Sequence, residues 1–181
     1  MLKINPDFEN LIPPLSEDEF NGLEKSILEE GVREPIVTWR GFIVDGHNRY
    51  KIATKYGLDF DTVEYDFADE AAVIDWMVET QCSRRNLELF QKTALKIKAD
   101  KLKLTAKAKE KEHERKTTFP NSGKSSETHD TDKDIAKAVG VSKDTVHRVN
   151  KILNSGNESL IEQCERGETS INAAYKQIRE A

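Results

Sequence analysis

The chain has 181 residues, 34% of them charged, and a formal net charge of −5. That length holds one medium domain or two small tethered ones. No apolar run is long enough to span a bilayer, and the N-terminus lacks the basic-then-apolar layout of a secretion signal.

Cys82 and Cys164 lie far apart and match no metal-ligand spacing, so they read as reduced thiols in a cytoplasmic protein. The charge is uneven. Residues 1 to 90 carry 9 Lys/Arg against 19 Asp/Glu, net −10, and residues 91 to 181 carry 19 against 14, net +5. Such asymmetry points to nucleic-acid contact on the basic side, although solvated helices of different charge would give the same imbalance.

In chain order, Ser16 and Glu19 make a capping box, and Phe20, Leu23 and Ile27 recur at helical spacing until Gly31. Pro35 then leads into Ile36-Val37-Thr38-Trp39, and Arg40-Gly41 separates this run from Phe42-Ile43-Val44, which predicts a tight hairpin. Gly46 ends the second strand, and His47 to Tyr56 reads as a helix closed by Gly57. Phe60 to Phe67 is β-rich, and Asp69 opens a helix with Val73, Ile74, Trp76 and Met77.

Beyond Arg84 the character changes. Residues 87 to 116 lack Gly and Pro and predict one long connecting helix, polar all round from Lys107. Residues 117 to 130, with Pro120, Gly123 and many Ser/Thr, predict a flexible linker. Helices are expected over Asp132 to Val139, Lys143 to Leu153, Asn157 to Arg166 and Ile171 to Glu180.

Within TDKDIAKAVGVSKDTVHRVNKILN each position has its own steric reason. Thr131 can cap a first helix, Ala136 is small where two helices cross, and Gly140 supplies a positive backbone angle. Val141 plugs the turn, Ser142 caps the second helix, and Val146, Val149 and Leu153 return to the core. This spacing predicts a helix-turn-helix over Thr131 to Asn154. Lys143, Asp144, His147, Arg148 and Lys151 then point outward. With Ser142 they are the candidate residues for contact with double-stranded DNA, early ones in the major groove and later basic ones on phosphates. Asp144 either accepts from cytosine or favours the helix N-terminus. A three-helix bundle binding protein would share the apolar stripe without needing the basic face.

Phe42 to Tyr50 is the other informative segment. A strand runs through Gly46 into a helix, so free N–H groups and the helix dipole meet at one spot, with Arg49 in the first turn. That suits an anion, but a plain strand-to-helix turn would look the same. Arg84 and Arg85 are further cations in the acidic half, before Asn86, a possible helix cap. Arg84 either completes an anion site with Arg49 or balances nearby acids.

The order SILEEGVREPIVTWRGFIVDGHNRYKIA, a tryptophan-bearing helix, QCSRRNL and a helix-turn-helix resembles the ParB family of DNA-partition and regulatory proteins. The likeness runs over roughly residues 5 to 155, and the tail LIEQCERGETSINAAYKQI is similar to that of smaller relatives. It implies an α+β ParB/sulfiredoxin-like domain over residues 1–86 and an all-α helix-turn-helix domain over 131–181. It also implies a nucleotide pocket, holding CTP with magnesium in partition proteins, in which Gly46, His47, Asn48 and Arg49 would cradle the triphosphate. Gln81 and Arg84 would complete that pocket.

Two departures stand out. Partition proteins commonly show Gly-Glu-Arg-Arg where this chain has Gly46-His47-Asn48-Arg49, and Glu-Asn where it has Thr80-Gln81. The lost acid bears on hydrolysis more than on binding. The chain also ends soon after the reader helices, which bears on whether a dimer could close into a clamp.

Sister families supply enzyme alternatives. Sulfiredoxins carry a cysteine where this chain has His47, which excludes that thiol chemistry. Kinases acting on free serine resemble Asp45-Gly46-His47-Asn48-Arg49 and need a carboxylate base, such as Glu30. A nuclease would need a cluster of metal-binding acids, which Asp45 and His47 alone do not make. The expectation is therefore a DNA-binding partition or transcription regulator of plasmid, phage or chromosome, associated with plasmid or nucleoid. A homodimer on paired half-sites is in keeping with it, and a CTPase or small-molecule kinase is the alternative.

Overall fold

The computed structural model describes residues 1–84, 87–117 and 131–180; the side chains of residues 84 and 110–117 are not described. Of the linker predicted over 117–130, Thr117 ends a helix and the rest lies outside the described residues, as do the roles of Arg85 and Asn86 and the Arg84 side chain. The chain forms two compact units, Met1–Gln81 and Cys82–Ala181.

The first unit is α+β. Helix α1 (Pro6–Leu11) is started by Asn5, whose side chain accepts from the Asp7 N–H at 3.0 Å, and it buries Phe8 and Leu11. Sequence periodicity missed this helix because six residues are too few to show a 3.6-residue repeat. Helix α2 (Glu17–Glu30) carries the predicted capping box, with Glu19 N–H to Ser16 Oγ at 3.2 Å and Ser16 N–H to Glu19 Oε2 at 2.8 Å.

Strands β1 (Ile36–Trp39) and β2 (Phe42–Asp45) pair antiparallel as the expected hairpin. Arg40 and Gly41 both have positive φ, 51° and 78°, the conformation that lets a two-residue loop follow strand twist. Arg40 adopts it without being glycine; its guanidinium lies 4.5 Å over the Trp39 ring, and its N–H donates to the Glu64 carboxylate.

Helix α3 (His47–Tyr56) crosses over to β3 (Thr62–Glu64), which pairs parallel with β1. The sheet order is β2-β1-β3, so β1 is central and buried along its whole length. Ile36, Ile43 and Tyr50 form a core with Leu2 and Phe60 packed against it. Strand β3 is shorter than the predicted β-rich run, because only Thr62 to Glu64 find partners on β1. Helix α4 (Glu70–Arg84) follows, with the Asp69 carboxylate accepting from the Ala72 N–H at 2.8 Å.

The second unit is helical: α5 (Leu89–Thr117), α6 (Thr131–Val139), α7 (Lys143–Leu153), α8 (Glu158–Glu165) and α9 (Ile171–Glu180). Its core joins Phe90, Ala94 and Ile97 of α5 to Ile135, Ala136, Val146, Val149, Ile152, Leu160, Cys164 and Ala174. The helix read as a connector is thus also a wall of this core. Among the described residues, no helix is long and apolar enough to cross a membrane.

Candidate nucleic-acid interface and glycine turn

Helices α6 and α7 meet through Gly140, Val141 and Ser142. Gly140 has φ +79°, and its N–H and that of Val141 both donate to the Ala136 carbonyl at 2.9 Å. This closes α6 as a left-handed C-cap does. Ser142 caps α7 by accepting from the Thr145 N–H at 3.1 Å. Val146, Val149 and Ile152 are fully buried, while Leu153 is only half-buried. The innermost position is therefore Ile152, one residue before the predicted Leu153.

With that stripe inward, Ser142, Lys143, Asp144, His147 and Lys151 are exposed and Arg148 is half-buried. Arg148 is engaged within the protein. Its guanidinium pairs with Asp144 at 2.5 Å, donates to the Asn172 side-chain oxygen and lies 5.7 Å over the Tyr175 ring. Asn172 and Tyr175 were not singled out from the sequence. The helical spacing of polar residues on α9 was the signal available, but it does not say which neighbour they face.

In the first unit, Gly46 has φ +95° and stands at the N-cap of α3 with no side-chain cap. His47, Asn48 and Arg49 form the first turn. Arg49 folds back across the glycine: a Cβ at Gly46 would fall 3.0 Å from Arg49 Nη2. The guanidinium reaches Asp45 at 3.2 Å, Glu34 at 3.5 Å and the Pro35 carbonyl at 3.1 Å, while its buried Nε has no partner among the described residues. Glu34 was missed from sequence because it lies on the far side of the hairpin from the turn.

Burial pushes the His47 imidazole below its ordinary 6.5; the Glu9 and Asp45 carboxylates pull the other way and Lys51 adds to the depression. The ring has a buried Nε2 without a partner among the described residues. Lys51 pairs with Glu9 at 2.6 Å, and that contact holds the Glu9 carboxyl below its ordinary value. Gln81 is buried on α4, and its side-chain oxygen accepts no hydrogen bond among the described residues.

The uncapped first turn of α3 and the Arg49 guanidinium suit a phosphate group. The neighbouring carboxylates of Asp45 and Glu34 oppose a bare anion and would be eased by a divalent cation arriving with it. Among the described residues, no cluster of three or more His, Cys, Asp or Glu is placed to hold a metal ion by itself.

No protein-family model and no curated protein matches the chain. Solved structures do. The architecture is that of a ParB N-domain, an α+β fold, as the sequence led us to expect. One structure of a pNOB8-like ParB N-domain matches at TM-score 0.60 with 20% identity, over 96% of this chain and 74% of that one. A second matches at TM-score 0.57 with 17% identity, over 96% and 69%. The C-terminally truncated chromosome-partitioning protein ParB from Caulobacter crescentus, complexed with CTP-gamma-S, matches at TM-score 0.40 with 22% identity, over 98% and 87%. A likeness that low carries no argument about this chain.

Proposed function

We propose that this protein is a ParB-like DNA-binding protein, acting in plasmid or chromosome partition or in transcription regulation. In this reading α6 and α7 form a helix-turn-helix, with α7 as the helix that enters the major groove. One observation carries it: α7 exposes Lys143, His147 and Lys151 on the face opposite its buried Val146, Val149 and Ile152 stripe. A helix buried on one side and cationic on the other, led by a tight glycine turn, matches the geometry of a groove reader. The ParB N-domain fold of the chain supports the same reading.

The Gly46 turn is the proposed control point. Gly46, His47, Asn48 and Arg49 would hold the phosphates of a nucleotide, CTP with magnesium, and Gln81 would extend the site. The nucleotide would supply charge that reorganises the Arg49, Asp45 and Glu34 cluster. A homodimer would meet two half-sites roughly 34 Å apart, one turn of the duplex. Such a protein works bound to plasmid or nucleoid DNA.

The test is selection of bound duplexes from a randomised pool, followed by anisotropy titration with Lys143→Ala/Lys151→Ala. Enrichment of one motif, with the variant weaker and less salt-dependent, is the expected result. No retained duplex at low salt overturns the reader assignment. Calorimetric titration with CTP and then ATP, magnesium present, tests the turn. Phosphoserine made from ATP and free serine would replace the switch by a kinase.

A further inference from the structure

The polar face of α9 adjoins the outward face of α7. Asn172 accepts from Arg148, and the Tyr175 ring lies beneath its guanidinium. An open cleft of about 430 Å³ is lined there by Arg148, Asn172, Tyr175, Lys176, Arg179 and Glu180. Lys176 and Arg179 therefore face the same hollow as the Arg148 side chain, and both are exposed. The acids nearby are already engaged: Asp144 holds Arg148, and Glu180 stands 3.8 Å from Lys176.

We propose that α9 continues the DNA-contacting surface, with Lys176 and Arg179 holding backbone phosphates beside the groove that α7 enters. The inference rests on the reading of α7 as the reader. Exposed cations on a helix packed against α7 suit phosphate contacts, which fix register without selecting sequence. Arg148 is the joint between the two surfaces. It is tied to Asp144 on its own helix and to Asn172 on α9, so it sets their relation rather than reaching outward.

The test measures binding of the full-length protein to a labelled random-sequence duplex across a salt series. Lys176→Ala/Arg179→Ala should flatten the dependence of log K on log salt by about 1.8, at roughly 0.9 per phosphate contact. Lys25→Ala/Arg33→Ala removes the same two charges from exposed sites of the first unit and should leave the slope unchanged. A wild-type slope in the α9 variant, with a flattened slope in Lys143→Ala/Lys151→Ala, overturns the proposal and spares the reader. An equal loss in the control pair also overturns it, since net charge alone would then explain the effect. Absence of wild-type binding at low salt fails the underlying reading itself.

Discussion

Arg148 on α7 donates to the side-chain oxygen of Asn172 on α9, and this contact fastens the candidate reader helix from its polar side. The core stripe holds α7 from below through Val146, Val149 and Ile152. A helix held on both sides presents its remaining face in one orientation, which groove reading needs.

Removing either partner should loosen α7. Arg148→Ala and Asn172→Ala should each cost about 1–2 kcal/mol, because a charge-assisted hydrogen bond is lost. The double variant should cost about 1 kcal/mol less than the sum, the sign of direct coupling. Urea unfolding followed by helical circular dichroism is the measurement. Intrinsic fluorescence would miss it, since both tryptophans, Trp39 and Trp76, lie in the first unit. Additive costs would mean that the two residues act independently.

Gly140 and Gly22 make opposite predictions from one substitution. Among the described residues, nothing beyond the local backbone lies within 4 Å of an added Cβ at either, so space does not separate them. Gly140 has φ +79°, where a side chain costs about 1–2 kcal/mol. Gly22 lies inside α2 with ordinary helical backbone, where alanine should stabilise by roughly 0.5–1 kcal/mol. Thermal unfolding of Gly140→Ala and Gly22→Ala should therefore move in opposite directions. Movement in the same direction would refute the left-handed assignment at Gly140.

Local chemistry made much of this fold legible. The capping box at Ser16, the Arg40-Gly41 hairpin and the glycines at 46, 57 and 140 all act within a few residues, and each lies where it was expected. Partners distant in sequence were not legible. Nothing around Phe90, Ala94 and Ile97 announces that they pack with Ile135 and Val149, because a lysine-rich helix reads as solvated until its neighbours are known. That Arg148 lies off the core stripe could be read, but not that Asn172 on α9 takes up its guanidinium. The same holds at the turn, where Glu34 approaches Arg49 only because the hairpin folds back.

At the turn itself, Gly46→Ala should act on Arg49 as well as on the backbone. The added Cβ would fall 3.0 Å from Nη2, so the guanidinium must give by a few tenths of an ångström, which disturbs its contact with Asp45. Calorimetry with CTP and magnesium should show affinity down by roughly tenfold or more, the loss of one charge-assisted contact. Asp45→Asn should act oppositely on a magnesium-free nucleotide, since a repelling carboxylate is gone. Equal binding by both variants and the parent would remove this turn from the nucleotide reading.

His47 gives the first unit a pH dependence whose sign follows from burial. Its folded value lies below the ordinary 6.5, so as pH falls the unfolded chain takes up this proton first. The stabilisation is complete above 6.5 and declines as pH drops toward the depressed folded value. Glu9 works in a separate window: its carboxyl, held down by Lys51, loses its contribution only below its ordinary 4.5. Urea unfolding followed by tryptophan fluorescence should show stability falling as pH drops below 6.5. His47→Gln should flatten that interval and keep the lower step, which Glu9→Gln should then reduce. Parallel profiles for the parent and His47→Gln would mean that the imidazole reaches solvent freely, and the case for a desolvated, half-buried His47 at the turn would fail.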